Sequence, residues 1–258
     1  LIDKTHPSDL ALIFRYFNDV EQDSIFSNML ASEETVKFLY ELDESIATRL
    51  IENETPERLA KIMEQASSNE QVFLMGLVSD QFATSVIDLL QAEEQEELEE
   101  MMAYPEDSAG ILMYTDVFTL HEETKAREAI YALQDQEDAE MVFYLYTLDD
   151  DGSLTGVISL RDLVTTPGET MLKDIMSKNI QAVRPETDQE EVARIVSQYN
   201  FLAVPVVDAD EKLLGIVTVD SVVDVIREEA TEDFLQLAGA GKDREILLKS
   251  SWENARIR

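Results

Sequence analysis

Gly156-Val157-Ile158-Ser159-Leu160-Arg161-Asp162-Leu163 decides the fold, because it returns 59 positions later as Gly215-Ile216-Val217-Thr218-Val219-Asp220-Ser221-Val222. Each stretch opens on glycine, runs apolar for a strand's length, reaches a hydroxyl residue and continues with helical spacing. A turn precedes each stretch: Asp149-Asp150-Asp151-Gly152 before the first, 208–212 before the second. Strands are predicted over 141–147 and 154–160 in the first copy and over 203–207 and 213–219 in the second, with helices over 125–134 and 189–199. Met113 and Met176 open the two copies, 63 positions apart. A repeat of about 60 residues with β-α-β-β-α order predicts a pseudo-twofold pair, since neither copy alone covers its sheet face.

Upstream the pattern changes. From Thr5 to about Met102 apolar residues recur at three- and four-residue spacing, as in Leu10, Ile13, Phe14 and Phe17. Thr55-Pro56-Glu57 supplies a cap, a proline at the first helical position and an early acid. Breaks fall at Ser32-Glu33-Glu34, Ser67-Ser68-Asn69 and Ser79-Asp80. Five to seven short helices stacked as hairpins, in the manner of an armadillo-like superhelix, are expected. The acidic run from Glu93 to Glu100 reads as a solvated helix face. Tyr104-Pro105-Glu106-Asp107-Ser108-Ala109-Gly110 then breaks the periodicity. The expected division is a helical domain over 1–103, a linker over 104–112, repeat copies over 113–170 and 171–240, and a terminal helix over 241–258.

The chain has 258 residues and carries 20 Lys+Arg against 55 Asp+Glu, a net charge of −35. Phosphate backbones need the opposite sign, so nucleic acid is excluded as a partner, and so is docking on anionic lipid. There is no cysteine and there are two histidines. Disulfides, iron–sulfur clusters and Cys-ligated zinc are therefore excluded, leaving oxygen-ligated hard cations such as Mg²⁺ or Ca²⁺. No Gly-rich phosphate loop, no nucleophile beside a base and no His pair is present, so an enzyme is not expected. No apolar run approaches the ~20 residues of a membrane span and no signal peptide opens the chain. Position 1 is Leu, and a longer parent chain is expected.

A long helix is predicted from Asp220 to the glycines at 239 and 241. Asp220, Asp224, Glu228 and Glu232 follow at four-residue intervals, with Glu229 and Asp233 beside them. Like charges so spaced destabilise a helix by a few tenths of a kcal/mol, about 0.2–0.5 per pair. Either the stripe is a plain solvated face or a divalent cation neutralises it. Residues 242–258 carry a net +2, leaving −37 on the rest, with Ile246, Leu247, Leu248 and Trp252 at helical spacing. Such a segment is either a frayed terminus or the basic flank that precedes a membrane span.

The two glycine-led stretches, with Ala203-Val204-Pro205-Val206-Val207-Asp208, resemble a tandem CBS pair. His6-Pro7-Ser8-Asp9-Leu10, the 104–113 segment Tyr-Pro-Glu-Asp-Ser-Ala-Gly-Ile-Leu-Met, Thr187-Asp188-Gln189-Glu190-Glu191-Val192-Ala193 and Glu229-Ala230-Thr231-Glu232-Asp233 are more specifically similar to the cytosolic region of MgtE magnesium transporters. The resemblance spans nearly the whole chain and includes a terminal plug helix around Trp252. It implies an all-α superhelical N domain, a CBS pair and a connecting helix, placed at the cytoplasmic face of the membrane. It further implies a homodimer formed through the CBS pairs and a pore domain absent from this chain. Mg²⁺ binding at acidic domain seams would compact the dimer and close the pore.

By position, the resemblance assigns Mg²⁺ to Glu190, Asp220, Asp224, Glu229, Glu232 and Asp233, with the Gly110 carbonyl contributing. It departs at Lys37, Asn69, Phe73, Asn200 and Ser221, where acids are expected. It also implies ATP in a CBS cleft lined by Tyr144, Arg161, Asp162, Phe201 and Pro205. An aromatic for the base, an Asp for ribose hydroxyls and an Arg for phosphate suit that ligand. Tyr144 and Phe201 adjoin strands, so burial in the core is the competing expectation. The alternative function is an adenine-nucleotide-responsive CBS module whose helical domain docks another protein.

Overall fold

A computed structural model of the chain describes residues 5–30, 32, 34–135 and 143–227. The first hundred residues form α1 (Pro7–Phe14), α2 (Asp19–Met29), α3 (Thr35–Tyr40), α4 (Glu44–Glu52), α5 (Pro56–Met63), α6 (Ser68–Gly76), α7 (Asp80–Ile87) and α8 (Ala92–Met102). These eight helices exceed the five to seven expected. Breaks at Asn18, Asp43 and Gln91 carry no Pro, Gly or Ser cluster to mark them. Asn18 and Glu21 form a reciprocal capping box, Asn18 Oδ1 accepting from the Glu21 amide at 3.1 Å while Glu21 Oε2 accepts from the Asn18 amide at 3.0 Å. Ser67 with Glu70 and Gln91 with Glu94 do the same for α6 and α8. Side-chain acids thus satisfy amides that a short helix would otherwise leave open.

Alternate helices pack on one another, α1 on α3, α5 on α7 and α6 on α8, which is the expected superhelical stack. Phe14 and Phe38 meet edge to face at 5.0 Å in its core. On α8, Leu98 and Met101 are buried while Glu93, Glu96, Glu99 and Glu100 are exposed.

The expected linker is firmly packed. Residues 109–112 form α9 (Ala109–Leu112), whose Ala109 and Gly110 amides donate to Thr187 O and Pro185 O at 2.8 Å each. The first copy follows as β1 (Thr119–His121), α10 (Ala126–Gln134), β2 (Tyr144–Leu148), β3 (Leu154–Ser159) and α11 (Leu160–Thr165). After a 3₁₀ turn at Leu172–Asp174 come α12 (Gln189–Tyr199), β4 (Ala203–Val207) and β5 (Leu213–Thr218). Residues 219–227 continue as a helix, α13. β1 pairs parallel with β2 and β2 antiparallel with β3, while β4 pairs antiparallel with β5. β2 starts later than the expected strand, whose residues 141 and 142 lie outside the described ones.

The two copies exchange their leading segments. Tyr114, ahead of the first copy, bridges to Ile216 in β5, and Ser177, ahead of the second, bridges to Val157 in β3. Gly156 and Gly215 permit this. A Cβ on Gly156 would stand 2.4 Å from Met176 Sδ, and one on Gly215 would stand 2.6 Å from Tyr114 O. The register irregularities also match, between Thr147 and Leu148 in one copy and between Val206 and Val207 in the other. One apolar cluster joins the helical domain to the second copy, running from Phe14 and Met63 through Ala109 and Met113 to Val192, Val204 and Val222.

Candidate functional site

Between the helical domain and the repeat pair lies an open cleft of about 1770 Å³. Its helical wall includes Lys37, Tyr40, Glu41, Ser68, Asn69 and Glu70. Its opposite wall includes Tyr114, Tyr144, Tyr146, Ala203, Asp220, Ser221 and Asp224. Strand β5 delivers Thr218 and α13 to this wall, so Asp220 and Asp224 lie one helical turn apart and face the helical domain.

Asp224 is half-buried. Burial pushes its carboxyl above the usual range, the Arg227 guanidinium pulls it back, and the charges of Glu41 and Asp220 push it up again. Arg227 Nη1 stands 3.4 Å from Asp224 Oδ1. Glu41 thus brings a carboxylate from the helical domain to bear on α13. Sequence reasoning missed it, although it lies one helical turn beyond Lys37, where the MgtE resemblance leads to an acid. Lys37, Asn69 and Ser221 all line the cleft, and Phe73 packs on Tyr40 at 4.7 Å between ring centres. Asn200 closes α12 in the left-handed conformation, at φ 53°.

The other assigned metal residues divide. Gly110 sits in α9 with the Tyr104 ring against it, and Glu190 is exposed in the first turn of α12. The bridge between Ser108 and Asp188 ties those two segments together. Glu229, Glu232 and Asp233 lie outside the described residues, as does the terminal helix. The donors on the cleft are carboxylate and hydroxyl oxygens, which suit a hard cation. Among the described residues no three acidic or histidine side chains come close enough to share one ion. Mg²⁺ fits such a set, since it binds through one or two carboxylates and keeps several waters.

Of the residues that the resemblance assigns to ATP, Tyr144, Arg161 and Asp162 lie at one end of the first sheet. Tyr144 opens β2 opposite Ser159, which ends β3. Ser159 Oγ donates to Asp162 Oδ2 at 2.7 Å and accepts from the Asp162 amide at 3.1 Å, fixing the start of α11. Arg161 is exposed beside it. The Leu202 amide donates to the Tyr144 hydroxyl at 3.4 Å, bringing the Phe201 segment alongside. Phe201 is partly exposed and stacks on Tyr199 at 5.3 Å, so neither aromatic is wholly committed to the core. Pro205 is buried midway along β4.

The pseudo-twofold relates this end of the sheet to the interdomain cleft. There Asp220 and Ser221 stand in the places of Arg161 and Asp162, and Thr218 Oγ1 meets Ser221 Oγ at 3.3 Å. Tyr146 takes the place of Pro205. Its hydroxyl is buried without a partner, and burial raises its pKa strongly. One end therefore offers the Arg161 guanidinium and the Asp162 carboxylate, and its mate offers Asp220 and Ser221. No helix among the described residues is long and apolar enough to cross a membrane.

Family models match in the same order along the chain. The MgtE intracellular N domain covers residues 5–107, and the CBS domain covers 109–168 and 172–228. The magnesium transporter MgtE of Enterococcus faecalis is 43% identical over 149 residues, 57% of this chain and 33% of that protein. MgtE of Bacillus subtilis is 30% identical over 244 residues, 94% of this chain and 54% of that protein. The chain thus spans about a third to a half of these relatives. The crystal structure of the cytosolic domain of the Mg²⁺ channel MgtE in complex with ATP superposes with a TM-score of 0.82 at 32% identity, covering 87% of this chain and 92% of that one. With both domains matched in order and nearly the whole of a solved relative covered, this chain belongs to the MgtE family and comprises its N domain and CBS pair.

Proposed function

We propose that the chain is the cytosolic Mg²⁺-sensing region of a magnesium transporter, regulatory rather than catalytic. The observation that carries this reading is Glu41 facing Asp220 and Asp224 across the interdomain cleft, with Asp224 held at a raised pKa. Three carboxylates on two domains repel one another when bare. A hydrated divalent ion held by one or two of them would offset that repulsion and let the domains close. Residues 1–103, 113–170 and 171–240 are the N domain and the two CBS motifs in this reading. Residues 241–258 lead to a membrane pore in this reading, and Glu229, Glu232 and Asp233 precede them in sequence. A homodimer through the CBS helices would carry the closure to two pore halves.

The test is thermal melting of the chain with Mg²⁺ against K⁺ at matched ionic strength. Sites present only in the folded state raise the melting temperature with the logarithm of free Mg²⁺, whereas screening acts equally for both salts. A Mg²⁺-specific rise, lost in Asp224→Asn, is expected. Equal responses to the two salts would sink the sensor reading.

A second ligand is supported by the Tyr144–Leu202 contact and the Ser159–Asp162 pair. These put an aromatic, a carboxylate and Arg161 at one sheet end, and the ATP complex of the relative fits that chemistry. ATP at this end is expected to bind with one molecule per chain in calorimetry, because the pseudo-equivalent cleft carries Asp220 where Arg161 stands. Asp162→Ala should weaken it at least tenfold; unchanged affinity would remove the nucleotide from this site.

A further inference from the structure

The leading segments of the two copies occupy matching places, 63 positions apart. Met113 lies over Gly215 and Met176 over Gly156. The Tyr114 amide donates to Ile216 O at 2.8 Å, and its carbonyl accepts from the Ile216 amide at 2.9 Å. Ser177 makes the same pair of bonds with Val157, at 2.9 and 3.1 Å. The residues that follow are therefore equivalent as well. Thr115, Asp116 and Val117 line the interdomain cleft beside Asp220 and Ser221, and the Thr115 amide donates to Ser68 Oγ of α6 at 3.0 Å. By the same pseudo-twofold, Lys178, Asn179 and Ile180 stand beside Arg161 and Asp162 at the Tyr144 end of the first sheet. The sign of the charge reverses between the two places. The cleft carries Asp116 and Asp220, whereas the other end carries Lys178, Arg161 and Asp162, with a neutral amide at Asn179.

We infer that Lys178 is a phosphate-binding residue, which with Arg161 holds the phosphate chain of a nucleotide and makes this end select a triphosphate over the free nucleoside. The inference rests on reading that end as a nucleotide site. Lys178 is exposed, as is Arg161. Among the described residues neither one pairs with a carboxylate, whereas Lys125 and Arg127 share Glu169 and Lys173 takes Glu123. A guanidinium grips one phosphate as a flat fork, and an ammonium on a flexible stem can follow the next. The chain carries 55 acids against 20 bases, so most of its surface repels a polyanion. Two cations side by side reverse the local field, which is what a phosphate chain needs in order to dock. Nothing in the sequence singles out Lys178, because its equivalent in the other copy is a threonine.

The experiment is calorimetry of ATP and of adenosine on the whole chain, in chelator, so that divalent ions at the acidic seam play no part. Lys178→Met should weaken ATP about fivefold, the size an exposed charge pair can reach, and leave adenosine unchanged. Lys178→Arg should restore the ATP affinity. ATP binding to Lys178→Met should also depend less steeply on salt, because one screened attraction is gone. Unchanged ATP affinity in Lys178→Met, with Asp162→Ala still weakening it, would overturn the inference and leave the nucleotide site standing. Equal weakening of ATP and adenosine would overturn it too, since a merely structural role moves both. A wild-type chain that binds no ATP would remove the nucleotide reading and the role of Lys178 together.

Discussion

In the proposed reading Asp224 carries both a cost and a function. A carboxyl whose folded pKa lies above its unfolded value favours the protonated form on folding, so the folded chain holds more protons across that window. Stability therefore falls as pH rises through the window from the usual Asp range to the raised folded value, and the penalty is fully present at neutral pH. Burial and the charges of Glu41 and Asp220 raise it; Arg227 offsets part. Asp224→Asn is accordingly expected to melt higher than wild type at pH 7 in chelator. The difference should shrink as pH falls and the wild-type carboxyl protonates. A pH-independent difference between the two melting curves would show that the substitution acts through packing instead. Asp224 was visible in the sequence because it lies on a four-residue acidic spacing. Glu41 was not, since an acid at the end of a short helix resembles many others.

At the scale of elements, the exchange of leading segments fixes the geometry of the repeat pair. Met176 on Gly156 and Tyr114 on Gly215 each insert into the other copy, so neither sheet completes itself alone. The same symmetry places Val164 on α11 and Val223 on α13 at equivalent positions, and both are exposed, at 66% and 40%. Equivalent apolar residues bared on two helices of one module suit a self-complementary contact with a second copy, as a twofold dimer requires. The double substitution Val164→Glu/Val223→Glu should shift the chain from dimer to monomer in sedimentation without lowering its melting temperature appreciably. Surface sites of this kind usually change stability by less than about 0.5 kcal/mol. A dimer that persists would move the interface elsewhere.

For the whole molecule the deciding quantity is a net charge of −35. Self-repulsion of that size favours expansion, against which stands one apolar cluster shared by both domains. Monovalent salt screens this repulsion everywhere. A divalent ion acts where carboxylates of two domains face one cleft, and that locality separates a specific response from a general one. The helical domain is therefore poised between attachment through shared core and repulsion across an acidic seam.

The sequence by itself determined the repeat, its strand and helix order, and the all-α domain ahead of it, because those depend on local periodicity, caps and glycines. Its four-residue acidic spacing also pointed to Asp220 and Asp224, and the CBS resemblance to Asp162. It undercounted the helices, since the Asn18, Asp43 and Gln91 breaks look like ordinary polar surface and carry no Pro, Gly or Ser cluster. It read residues 104–112 as a linker, whereas α9 is pinned to 185–188 by bonds that no local pattern announces. Only the tertiary structure decided that Glu41 faces Asp224, that Tyr114 and Thr115 join β5 to α6, and that the interdomain cleft carries Asp220 where its pseudo-equivalent carries Arg161. Those facts depend on which surfaces meet between segments distant in the chain, and side-chain charge and hydrogen bonding acquire their meaning only from that meeting.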